Sequence, residues 1–165
     1  VTITPDFNLR AQNIPGDCTM KISCKWTDKL QFDATVGSHQ VIMDARKPLG
    51  GDAGPTPKEL LLASISGCTA MDVAALLRKG KQTPESFVVD AEADVSSDHH
   101  PHIYTQVRLA YRATGAVDPA ILQDAVHRSM TQYCGVSAMI AKVCPITYVI
   151  ELNGTQIAQG QAAFP

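Results

Sequence analysis

Residues 56–79, TPKELLLASISGCTAMDVAALLRK, constrain this chain more than any other stretch, because they read as one long helix with Cys68 near its middle. Thr56 is placed to cap the first turn, Pro57 fits the first helical position, and Glu59 completes a Thr-x-x-Glu capping box. At the far end Arg78 and Lys79 suit the negative pole of the helix dipole, and Gly80 stands where a C-terminal cap belongs. Between these ends, Leu60 to Leu62, Ile65, Met71, Val73 and Ala74 to Leu77 leave almost no polar face, which predicts a core helix buried on most sides. A cysteine so placed is ordinarily an inert small hydrophobe. Here Ser64, Ser66, Gly67, Thr69 and Asp72 surround it with small or polar groups, leaving room for a pocket that leucines would have filled.

At 165 residues the chain predicts a single domain, 1–165, with an N-terminal arm over 1–17. A formal charge of −2 with scattered Lys and Arg gives no nucleic-acid footprint. The apolar runs fall short of the roughly 20 residues of a membrane span, and the first residues lack the order of a secretion signal. The expected compartment is therefore the cytoplasm. Five cysteines, an odd number without Cys-x-x-Cys or zinc-ribbon spacing, predict neither a disulfide framework nor a metal site.

Strand signals begin after the arm. Residues 21–26 alternate with Ile22, Cys24 and Trp26 on one face, 31–36 alternate through Phe32, Ala34 and Val36, and Gly37-Ser38 turns the chain into 39–45, giving a three-stranded meander. Cys24 is expected to be a packed thiol, and His39 a turn histidine that is also a weak site candidate. RKPLGGDAGP, residues 46–55, is a loop without the spacing of a phosphate cradle. Residues 87–95 and 103–113 read as a hairpin whose tip, SSDHHPH, is a solvated loop rather than a metal site.

Asp118-Pro119 opens a second helix over about 119–131, residues 136–142 a third, and a last strand covers 146–152, ended by Asn153-Gly154. Cys134 falls at the start of the third helix, where free N–H groups favour a thiolate. Cys144 is expected to be packing.

GPTPKELLLASISGCTAMDV (54–73), a hairpin with a His-Pro tip, and YCGVSAMI (133–140) resemble the OsmC/Ohr family of osmotically inducible and organic hydroperoxide resistance proteins, over roughly residues 21–152. The nearer likeness is to its OsmC-like branch of uncertain function. The resemblance implies an α+β fold intertwined as a homodimer, and a thiol peroxidase that needs no metal or other cofactor. It implies that Cys68 attacks a hydroperoxide, that Cys134 closes a disulfide with it, and that a dithiol reductant restores both.

A desolvated mid-helix thiol needs a cation to be a nucleophile, and the family resemblance implies an arginine paired with a glutamate. Glu59 lies nine residues before Cys68, about 13 Å away and on the opposite side by helix geometry. It is either a capping residue alone or it faces a Cys68 of a second chain. In the family's register the glutamate follows the proline directly, and here that position is Lys58. Lys58, Arg46 and His39 complete the candidate supporting residues; no arginine lies in the first strands where one is expected, since Arg10 is in the arm and Lys21 and Lys25 are lysines, so the activating cation is unassigned. Two other functions stay open: a binding protein that kept the pocket without efficient catalysis, and a structural or regulatory module in which Cys68 only packs.

Overall fold

A computed structural model describes residues 20–165, so the arm expected over 1–17, with Arg10 and Cys18, lies outside the described residues. The chain divides into a unit ending at Pro55 and a unit running Thr56–Pro165.

The first unit is an antiparallel sheet of β1 (Ile22–Asp28), β2 (Gln31–Val36) and β3 (His39–Met43), in that order. Lys29 (φ 40) and Gly37 (φ 61) take left-handed conformations at its two turns. Cys24 departs from the expectation of a packed thiol: it is exposed, as is every residue of β1. Alternation predicts that a strand has an apolar face, but burying that face needs a second layer. Trp26 on the same face stays 64% exposed.

The glycine-rich segment after β3 does more than carry the chain onward. It folds around the Asp44 carboxylate, which accepts hydrogen bonds from the backbone N–H groups of Ala45 (2.7 Å), Gly51 (2.9 Å) and Ala53 (3.1 Å). A Cβ on Gly50 would overlap the Ala45 carbonyl, so only glycine allows this approach. The Ala53 N–H, against the opposing effect of burial and with help from Ala45 and Gly51, holds the Asp44 carboxyl below the usual aspartate range. A depressed carboxyl stabilises the loop above the ordinary aspartate pKa, and that contribution is lost as pH falls through the lowered value. Amide exchange at Gly51 and Ala53, corrected for intrinsic rates, should therefore accelerate only below about pH 4. Asp44→Asn should expose both amides already at neutral pH.

The second unit begins with α1 (Pro57–Lys79), whose capping box is complete: Thr56 N–H donates to Glu59 Oε2 (2.7 Å), and Thr56 Oγ1 accepts from the Glu59 N–H (3.4 Å). Gly80 is the C-cap as expected but keeps a negative φ, and the left-handed conformation falls on Lys81 (φ 56). The expectation of a helix buried on most sides needs correction. Burial is confined to the stripe Ile65, Thr69, Val73 and Leu77, one residue per turn, while Met71 is 71% exposed. By length and composition α1 also meets the requirement for a membrane span, contrary to the reading of its apolar run as too short. Its stripe instead packs in the core with Leu122, Val126 and Met130.

A four-stranded sheet, β4 (Ser86–Val95), β5 (Tyr104–Thr114), β6 (Ile146–Leu152) and β7 (Thr155–Gln161), supplies the other layer. β4–β5 is the expected hairpin. β5 and β6 run parallel, and the crossover between them consists of α2 (Pro119–Arg128), a π-helical turn (Ser129–Tyr133) and α3 (Gly135–Ile140). Alternate residues of β5 and β6, among them Val107, Leu109, Tyr111, Ile146, Tyr148 and Ile150, point into the core. The second helix thus ends three residues short of the sequence-based boundary. β7 was not anticipated, because TQIAQGQ carries no apolar alternation. Its signal is the Asn153-Gly154 pair (φ 50 and 79), a two-residue hairpin turn rather than a terminus.

Candidate functional site

The site is assembled from α1 and the crossover. Thr69 is the polar member of the buried stripe, so the same helical spacing that fills the core places Cys68 at its edge, half-buried, and Asp72 one turn later on the same side. The π turn adds one residue to the backbone repeat, with Cys134 N–H donating to the Ser129 carbonyl (3.0 Å). Cys134 follows as the N-cap of α3, fully buried, its Sγ accepting from the Ser137 N–H (3.4 Å). Cys68 Sγ, Cys134 Sγ and a carboxylate oxygen of Asp72 all lie within 4.8 Å of one another.

A chain of buried hydroxyls fixes the carboxylate. Ser129 Oγ donates to Asp72 Oδ2 (2.9 Å), Thr69 Oγ1 bonds Ser129 Oγ (2.8 Å), and Tyr111 Oη bonds Thr69 Oγ1 (2.7 Å). Each hydroxyl has one proton to give, so the bond to Asp72 sets the rest: Ser129 must accept from Thr69, and Thr69 from Tyr111. Burial raises the Tyr111 hydroxyl far above its ordinary range, with Thr69 opposing, and keeps it a donor. The signal for Asp72 in the sequence is its position four residues after Cys68; nothing local marks Ser129, which is 60 residues from Thr69.

The electrostatics of Cys134 differ from the sequence-based expectation. Burial pushes its thiol up to about 11; the Ser137 side chain and N–H oppose this, and neighbouring Cys68 adds to the rise. A helix of six residues offers too little dipole to offset complete burial. Cys144 packs in the core as expected.

The candidate supporting residues are placed elsewhere. Glu59 is held in the capping box, also accepting from Thr56 Oγ1 (2.9 Å). Lys58 is exposed, and its carbonyl accepts from the Tyr104 hydroxyl. In the first unit Arg46 pairs with Asp52 (2.5 Å), and His39 is the exposed first residue of β3. At the hairpin tip His99 meets Asp98 (2.9 Å), and the His100 and His102 rings lie 4.1 Å apart, tilted by 55°.

Residues 50–149, which include α1, both cysteines and Asp72, match the family described as OsmC-like protein. This chain belongs to the OsmC-like family. Protein YhfA of Escherichia coli K12 is 33% identical over 138 residues, 81% of this chain and 98% of YhfA. Among solved OsmC-like folds, a hypothetical protein from Aquifex aeolicus VF5 superposes with a TM-score of 0.70 at 25% identity, covering 82% of this chain and 98% of its own. An organic hydroperoxide resistance protein OsmC from Legionella pneumophila gives 0.60 at 15% identity, covering 81% and 96%. The α+β architecture implied by the sequence resemblance is thus the architecture observed.

Because the hydroxyl chain is oriented, its links differ in cost. Thr69→Val strands a buried donor and a buried acceptor together, and should cost about 1–3 kcal/mol in urea unfolding. Tyr111→Phe removes only the terminal donor, and should cost about 0.5–1.5 kcal/mol. Equal costs would contradict the assigned direction.

Proposed function

We propose that this OsmC-like protein is a thiol peroxidase acting on organic hydroperoxides or hydrogen peroxide, with Cys68 as the attacking thiolate and Cys134 as the resolving thiol. The observation that carries this reading is the approach of two sulfurs, 66 residues apart in sequence, to within 4.8 Å. A disulfide between them requires the sulfurs to close to roughly 2.05 Å. The Cys68 sulfur attacks the terminal peroxide oxygen, the O–O bond breaks, and the departing oxygen takes a proton and leaves as alcohol or water. Cys68 then carries a sulfenic acid. Cys134 displaces its oxygen as water to form the disulfide, and an external dithiol reduces it. Half-burial of Cys68 admits the oxidant, and full burial of Cys134 keeps the resolving sulfur from reacting first.

The Legionella pneumophila neighbour, described as an organic hydroperoxide resistance protein, supports the substrate class. A dithiol-driven cycle fits a reducing compartment such as the cytoplasm. Cys68→Ser should abolish hydroperoxide consumption. Cys134→Ser should leave one turnover intact and trap the sulfenic acid, read by intact mass as one added oxygen. Unchanged turnover in Cys68→Ser sinks the reading.

A second reading, binding without efficient catalysis, is favoured by the Asp72 carboxylate, a negative group beside the thiols where activation needs a positive one. A folded protein that retains an apolar ligand but does not form the disulfide with peroxide would establish it.

The protein also works as a homodimer in this reading. Met71 and Leu61 on α1, exposed at 71% and 39%, leave an apolar surface of the kind that a second copy covers. Sedimentation should give twice the chain mass of 17.7 kDa, and Met71→Glu should shift it toward one.

A further inference from the structure

The electrostatic character of the site suits a cation better than it suits a bare thiolate pair. Two ionised sulfurs and a carboxylate would crowd three negative charges into a space where one sulfur is fully buried. Soft sulfur donors with one carboxylate are the donor set of thiophilic divalent ions.

The geometry is close to what such an ion requires. Tetrahedral zinc with sulfur at about 2.3 Å and oxygen at about 2.1 Å keeps its ligand atoms roughly 3.6–3.8 Å apart. The three atoms here lie within 4.8 Å of one another, so side-chain adjustments of about an ångström complete the set. Ser129, itself fully buried, orients the carboxylate by its hydrogen bond, as the partner of a metal-bound carboxylate does. Three protein ligands leave a fourth position for water or substrate. Cys68 and Cys134 come from different elements, and the carboxylate one turn beyond Cys68 belongs to no cysteine pattern, so spacing along the chain carries no signal for this set.

We propose that the reduced protein binds a thiophilic divalent cation, of which Zn2+ is the probe, through Cys68 Sγ, Cys134 Sγ and Asp72, and that closing the Cys68–Cys134 disulfide expels it. Metal occupancy then regulates the redox pair: the ion holds both sulfurs apart and occupied until an oxidant removes them. On binding, each thiol gives its proton to solvent as the sulfur–metal bond forms, and no electron moves. On oxidation by a hydroperoxide, the two thiolates lose two electrons, the O–O bond breaks, the S–S bond forms, two protons are taken up to give alcohol and water, and the divalent ion leaves. The release by peroxide rests on the peroxidase reading above; the binding does not.

The test separates the two. Reduced full-length protein, freed of metal with chelator, is titrated with Zn2+ by calorimetry and with Co2+ by absorption spectroscopy. The expected result is one ion per chain, a thiolate-to-cobalt charge-transfer band, and a loss of affinity of at least tenfold in Cys68→Ser, Asp72→Asn and Ser129→Ala. Thermal unfolding of each metal-free variant checks that it is folded, and Cys68→Ser, at a half-buried position, keeps the test intact where Asp72→Asn fails to fold. Absence of saturable binding, a cobalt spectrum without the thiolate band, or unchanged affinity in folded Asp72→Asn overturns the proposal. Diamide, which forms the disulfide without peroxide, should release the ion; an ion retained after the disulfide has formed overturns the coupling. Peroxide consumption is measured separately in chelator, where its failure removes the peroxidase reading and leaves the metal measurements standing.

Discussion

Thr69 is the polar member of the four-residue stripe by which α1 enters the core, and its hydroxyl receives from Tyr111 on β5 while giving to Ser129 on the π turn. One side chain thus joins the central helix, the sheet and the crossover. A buried hydroxyl that lost these partners would cost about as much as several methylenes of packing, so the three elements share one register. The chain of donors ends at Asp72, and the position of that carboxylate relative to both sulfurs is therefore set by core packing and not by the surface.

The same stripe explains what the chain leaves uncovered. A helix with one buried residue per turn and leucines elsewhere shows more apolar surface than its own unit hides, and the three-stranded sheet shows Ile22, Trp26 and Phe32 in the same way. Hydrophobic patterning reports which residues leave water, and it does not report what covers them. That is why the burial of α1 and of Cys24 was overread from the sequence.

What was legible followed from local rules. The capping box at Thr56 and Glu59, the meander with its Gly37 turn, the β4–β5 hairpin and the strand at 146–152 each carry their signal within a few residues. The polar surroundings of Cys68 were also visible, because Asp72 and Thr69 stand within one turn of it. The hydroxyl partners Tyr111 and Ser129 were not, since the contacts span 42 and 60 residues and arise only once the parallel β5–β6 pairing fixes the crossover. Cys134 shows a local rule overridden: a helix start favours a thiolate, but complete burial outweighs six residues of dipole.

The π turn of Ser129–Tyr133 holds one residue more than an α-helical path across the same gap. Its loss would let the crossover run on as a regular helix, and everything beyond would be rotated by about 100°. The second sulfur would then face away from the first, and Val136, Ile140 and Cys144 would leave the core with it. In this architecture the meeting of the two thiols hangs on one inserted residue, and because Ser129 and Met130 of the same turn are fully buried, the core and the thiol pair would be lost together.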